Sequence, residues 1–114
     1  MNERVPTWLW VDALMRRASL AGAFGYVAAK GDKERGDVIL KIARLDGRAA
    51  LFVRSPLFMD SPSFDWLPNA GEWAEEREID ELIQRRRSYD PDLWVVEIED
   101  REGRHFLTEF VNGE

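Results

Sequence analysis

Residues 88–110, SYDPDLWVVEIEDREGRHFLTEF, are the most regularly patterned stretch of the chain and constrain its fold the most. Trp94, Val96 and Ile98 are apolar at every second position, while Glu97 and Glu99 fall on the other side of the pleat. That alternation predicts a strand with one dry and one wet face. The DREG run at 100–103 offers a type I turn whose glycine accepts a left-handed conformation, so a bulged hairpin returning through 104–110 is expected. In that register Glu99 faces His105 and Ile98 faces Phe106. Trp94, Val96, Ile98, Phe106, Thr108 and Phe110 then form a face that another layer must cover.

Upstream, Val11, Leu14, Met15 and Ala18 share one side at helical spacing and Gly22 follows as a stop, which predicts a helix over 7–21. Trp8 and Trp10 in its first turn are expected to anchor it. A short apolar run at 24–29 is closed by KGDKERG, two glycines around four charged residues, which suggests an exposed hairpin loop. It lacks the spacing of a phosphate-binding loop. Alternation at 38–43, Asp46-Gly47 and a further apolar run at 49–54 complete a three-stranded meander.

Residues 55–73 break the pattern. They hold Pro56, Pro62 and Pro68 together with Phe58, Phe64, Trp66 and Trp73, which predicts a long irregular loop that either plugs the sheet or presents an apolar surface. A second helix over 75–87 follows, with Ile79, Leu82 and Ile83 as its stripe. Acids lead it and Arg85, Arg86 and Arg87 close it, as the helix dipole favours. The expected architecture is one α+β domain over 1–114: an antiparallel sheet of about five strands in the order α-β-β-β-α-β-β, with both helices on one face.

Size supports a single core, and the 114 residues contain no cysteine, which removes disulfides and thiolate metal sites. No apolar run reaches the roughly 18 residues of a membrane span and no signal-peptide pattern opens the chain, so a cytoplasmic location is expected. The net charge of -6 divides into +4 over residues 1–54 and -10 over 55–114. Charge compensation between the packed halves explains this, and a basic surface for an acidic partner is the sharper alternative. Overall acidity without a basic cluster interleaved with aromatics argues against nucleic acid as a partner.

Reactive groups are sparse. None of the serines lies in a nucleophile elbow and His105 is the single histidine, so no catalytic residue is assigned. Glu97, Glu99, Asp100 and His105 could hold a divalent metal on one face, although a solvated strand face gives the same spacing. The element order matches the core of PD-(D/E)XK nucleases, but the third strand at 49–54 carries none of the acids such enzymes need.

The run YDPDLWVVEIEDR at 89–101, with Gly103-Arg104, Phe106-Leu107, RLDG at 44–47, Ala49-Ala50-Leu51 and Gly71-Glu72-Trp73, resembles the bacterial domain of unknown function 1491 family. The similarity spans nearly the whole chain. It implies a small stand-alone bacterial protein and brings no activity or catalytic residues with it.

These observations point to a non-catalytic protein-interaction or regulatory domain that needs neither cofactor nor metal. Phe58, Phe64, Trp66 and Trp73 are the candidate binding residues, for a protein partner or for self-association through the 55–73 loop. The alternative is a metal-dependent hydrolase or nuclease built on Glu97, Glu99, Asp100 and His105.

Overall fold

A computed structural model describes residues 5–56 and 61–114. Phe58, one of the candidate binding residues, lies outside them. Helix α1 (Thr7–Leu20) buries Val11, Leu14 and Ala18 along the predicted stripe. Pro6 precedes it without a side-chain cap. The first amides are satisfied instead by a loop: Thr7 and Trp8 N–H donate to the carbonyls of Glu34 and Lys33 at 3.2 and 3.0 Å, as orphan helix donors require.

Strands β1 (Phe24–Ala29), β2 (Val38–Ala43) and β3 (Arg48–Arg54) follow, then β4 (Ser63–Leu67), β5 (Ala74–Glu75), helix α2 (Glu76–Tyr89), β6 (Trp94–Glu99) and β7 (Phe110–Asn112). The predicted turn at 44–47 does join β2 to β3 as an antiparallel pair. The other pairings differ from the expected meander. Among the described residues the sheet is mixed and seven-stranded, ordered β1-β6-β2-β3-β4-β7, with β5 beside β4 on the edge of β3. Strand β6 inserts between β1 and β2, antiparallel to the first and parallel to the second.

The physical reason is two-sided burial. All six residues of β2 are buried, including Lys41, and Trp94, Val95 and Val96 are buried in succession. A run buried on both faces belongs at the centre of a sheet, and the two such strands pair with each other. The connection between them crosses the sheet through α2.

The helices therefore lie on opposite faces, not on one. Val11, Leu14 and Ala18 of α1 pack with Leu40, Ile42, Phe52, Trp94, Val96 and Ile98 in one core. Ile79 and Ile83 of α2 pack with Ile39, Leu51, Val53 and Val95 in the other. What the alternation of β6 presented as a wet face is half covered by α2.

The expected hairpin after β6 does not form. Asp100 accepts the Arg104 N–H at 2.8 Å and closes a tight turn, after which Phe106 adopts a left-handed φ of 63°. That residue breaks the pleat needed for a returning strand. The segment crosses the α1 side of the sheet as a strap instead, held by Arg17 Nε on the Phe106 carbonyl at 2.8 Å and by Trp10 Nε1 on Glu109 at 2.8 Å. It then delivers β7 to β4 in parallel.

Candidate interaction surface

The four groups of the metal-site alternative are separated by the fold. Asp100 is buried and forms two contacts with the Arg104 guanidinium, at 2.8 and 2.9 Å. That hydrogen bonding holds its carboxyl below the usual aspartate range. His105 accepts the Leu107 N–H on Nδ1, so its Nε2–H donates to Glu114 at 2.7 Å, and its ring packs on Phe52. Its predicted partner Glu99 instead lies opposite Phe24, across the β1–β6 pair. Among the described residues no group of three or more His, Cys, Asp or Glu side chains converges as metal ligands would.

Glu97 belongs to a different arrangement, on the α2 side of the sheet. Lys41 is 4% exposed and its ammonium reaches Asp80 at 2.7 Å, Glu76 at 2.8 Å and Glu97 at 3.8 Å. Burial alone would lower its pKa, but the hydrogen bonds it donates to Asp80 and Glu76 and the Glu97 charge outweigh that and raise it. Tyr26 donates to Glu97 at 2.6 Å. This bond, with burial and the neighbouring carboxylates, pushes the phenol up to about 12. The ensemble is a polar lock between α2, β2, β6 and β1.

The described aromatic residues of the 55–73 segment come together on the α1 side, because Ser63–Leu67 of that segment form β4. Phe64 in β4 is fully buried and stacks on Trp10. Trp66 packs on Phe52 at 5.1 Å and on Trp73 at 5.3 Å, while the Arg44 guanidinium lies 4.8 Å above the Trp73 ring. Trp66 and Trp73 keep partial exposure, and Trp66 Nε1 donates to the Glu72 carbonyl.

The widest exposure of apolar side chains around a strand lies elsewhere, on β1. Phe24, Tyr26 and Val27 are 61, 37 and 37% exposed. The Phe24 and Tyr26 rings pack together on the α2 side. Val27 faces a cleft of about 450 Å³ on the α1 side, lined also by Trp8, Trp94, Lys30 and Lys33. Strand β1 ends the sheet, and no strand pairs with its outer edge among the described residues.

A family model described as "Protein of unknown function (DUF1491)" matches residues 5–108. The chain belongs to the DUF1491 family. A crystal structure of a DUF1491 protein from Caulobacter crescentus is 43% identical, with a TM-score of 0.86 over 96% of this chain and 100% of the other. A solution structure of a Caulobacter crescentus DUF1491 protein is 42% identical, with a TM-score of 0.84 over 97% and 99%. Protein Atu0922 from A. tumefaciens is 32% identical, with a TM-score of 0.78 over 94% and 95%. No curated protein matches the chain.

The surface on this DUF1491 chain that sequence reasoning missed is β1. Its signal was available: residues 21–29, AGAFGYVAA, carry no charge in a chain whose residues are one-third charged. Read as one arm of a hairpin, the strand looked paired. Among the described residues it is paired on one side only, to β6 in place of the expected β2, and its other side is an edge.

Proposed function

We propose that this DUF1491 protein is a non-catalytic protein-interaction domain that docks a partner by strand addition at β1. The observation that carries this reading is the uncharged, apolar outer edge of β1. Natural edge strands are guarded by charge, proline, brevity or a bulge. The opposite edge, β7, has only three residues. In β1 the one guard is a register shift between Val27 and Ala29, which leaves 24–27 regular. An added strand would satisfy the free edge groups and project alternate side chains over Phe24 and Tyr26 on one face and into the Trp8–Val27 cleft on the other.

The hydrolase alternative has no comparable support, since its four residues are distributed over separate partners. The aromatic tier of Trp66 and Trp73 remains a second candidate surface, favoured by the partial exposure of both rings, and one experiment separates the two. Immobilised wild type, Phe24→Lys and Trp66→Ser proteins are compared for what they retain from a lysate of the native host. Docking at β1 predicts that Phe24→Lys loses the partner and Trp66→Ser keeps it. The reverse pattern would place the site on the 55–73 segment.

A further inference from the structure

We infer that the strand added to β1 is β1 of a second copy of this chain, related by a two-fold axis, so that two seven-stranded sheets become one. This rests on reading β1 as a docking edge and names its occupant.

Charge favours a second copy. Each copy carries a net charge of -6, so two copies repel as bodies and can meet closely only where like charges are absent. Residues 21–29 provide such a place. A strongly charged partner strand would find no opposite charge along β1, whereas a second β1 is as apolar as the edge it meets.

The edge is also self-complementary. When a strand pairs antiparallel with its own copy about an axis normal to the sheet, facing residues must share a side of the pleat, so one residue faces its own copy and the axis passes midway between the two. Centred on Gly25, the pairing sets Phe24 opposite the other copy's Tyr26, twice, and Ala23 opposite Val27. Cross-strand aromatic pairs are among the favourable combinations in sheets. All five paired positions, 23–27, precede the register shift that ends the regular part of β1. The resulting interface is isologous and small, at the low end below ~1,200 Å², so the dimer forms as concentration rises.

Sedimentation velocity over a concentration series tests this, together with oxidative cross-linking. The chain has no cysteine of its own, which makes single introduced cysteines clean reporters. The wild type is expected to move from the 13.2 kDa monomer toward twice that mass, and Phe24→Lys to weaken dimerisation about tenfold or more, as edge lysines do. Lys at 24 would face Glu99 across the strand pair, and a thermal melt confirms that the variant is folded. A mixture of Phe24→Cys and Tyr26→Cys proteins should cross-link beyond either alone, with Tyr89→Cys as the exposed control. A wild type that stays monomeric at every concentration, while β1 still captures another protein, overturns the second copy and leaves the docking edge standing. A dimer indifferent to Phe24→Lys overturns the pairing of two β1 strands, while the docking edge itself falls only if Phe24→Lys keeps the partner that Trp66→Ser loses.

Discussion

Gly31 lies against the backbone of Asp92 so closely that a Cβ on it would stand 2.0 Å from the Asp92 carbonyl oxygen. The contact exists because β6 is inserted between β1 and β2, so the 30–37 loop must climb over the start of β6. Asp32 N–H donates to the same Asp92 carbonyl at 3.0 Å, and Trp94 Nε1 donates to the Asp32 carbonyl at 2.7 Å. The loop also supplies the carbonyls that cap α1. Gly31→Ala must therefore displace backbone, and a loss of about 2–3 kcal/mol is expected from overpacking of this kind. Gly22→Ala, whose Cβ would meet nothing within 4 Å despite a φ of +87°, should cost about 1 kcal/mol. Urea midpoints of the two variants check the order.

Lys41 holds three carboxylates together at a buried position, and removing it leaves them facing one another. Lys41→Met is expected to lose about 2–3 kcal/mol, less than the 3–5 kcal/mol of a fully buried pair, because Glu76 and Asp80 are partly exposed. The raised pKa of Lys41 means that its contribution is complete below its unfolded value of 10.5 and is lost as pH rises through the higher folded value. Denaturant melts at neutral and strongly alkaline pH should show the Lys41→Met penalty shrinking only in the alkaline range.

Tyr26 should ionise late. Its neutral hydroxyl donates to Glu97, and a phenolate there would face a carboxylate. The stability it adds is therefore present below pH 10 and lost as pH rises through about 12. An ultraviolet titration should show a tyrosinate step near pH 12 that Tyr26→Phe removes.

Asp100 governs the acid side. Its depressed pKa gives stability that is present above the ordinary value of 3.8 and lost as pH falls through the lower folded value. Asp100→Asn loses the charge-assisted bonds to Arg104 and is expected to cost about 1.5–3 kcal/mol at neutral pH. The difference between wild type and variant should narrow as the melts are moved into acid.

Local signals were legible in the sequence and long-range pairing was not. The stripe of α1, the Ile79 and Ile83 stripe of α2 and the Asp46-Gly47 turn all rest on neighbours within a few residues, and each is found. Pairing of β2 with β6 spans more than fifty residues and leaves only an indirect trace. That trace is the unbroken burial of Trp94-Val95-Val96 and of β2 around Lys41. Period-two reading of Trp94, Val96 and Ile98 gave Val95 no role, which misplaced α2. The alternation of Phe64 and Trp66 that makes β4 was hidden between Pro62 and Pro68. As for the site, aromatic content drew attention to 55–73, whereas β1 stands out through the charge it lacks.

Amide hydrogen exchange of β1, followed residue by residue at low and high protein concentration, tests the central claim most directly. Outward amides within 23–27 should exchange readily when dilute and become protected when concentrated, while the β2 and β3 amides remain unchanged. Identical β1 exchange at both concentrations would contradict the account.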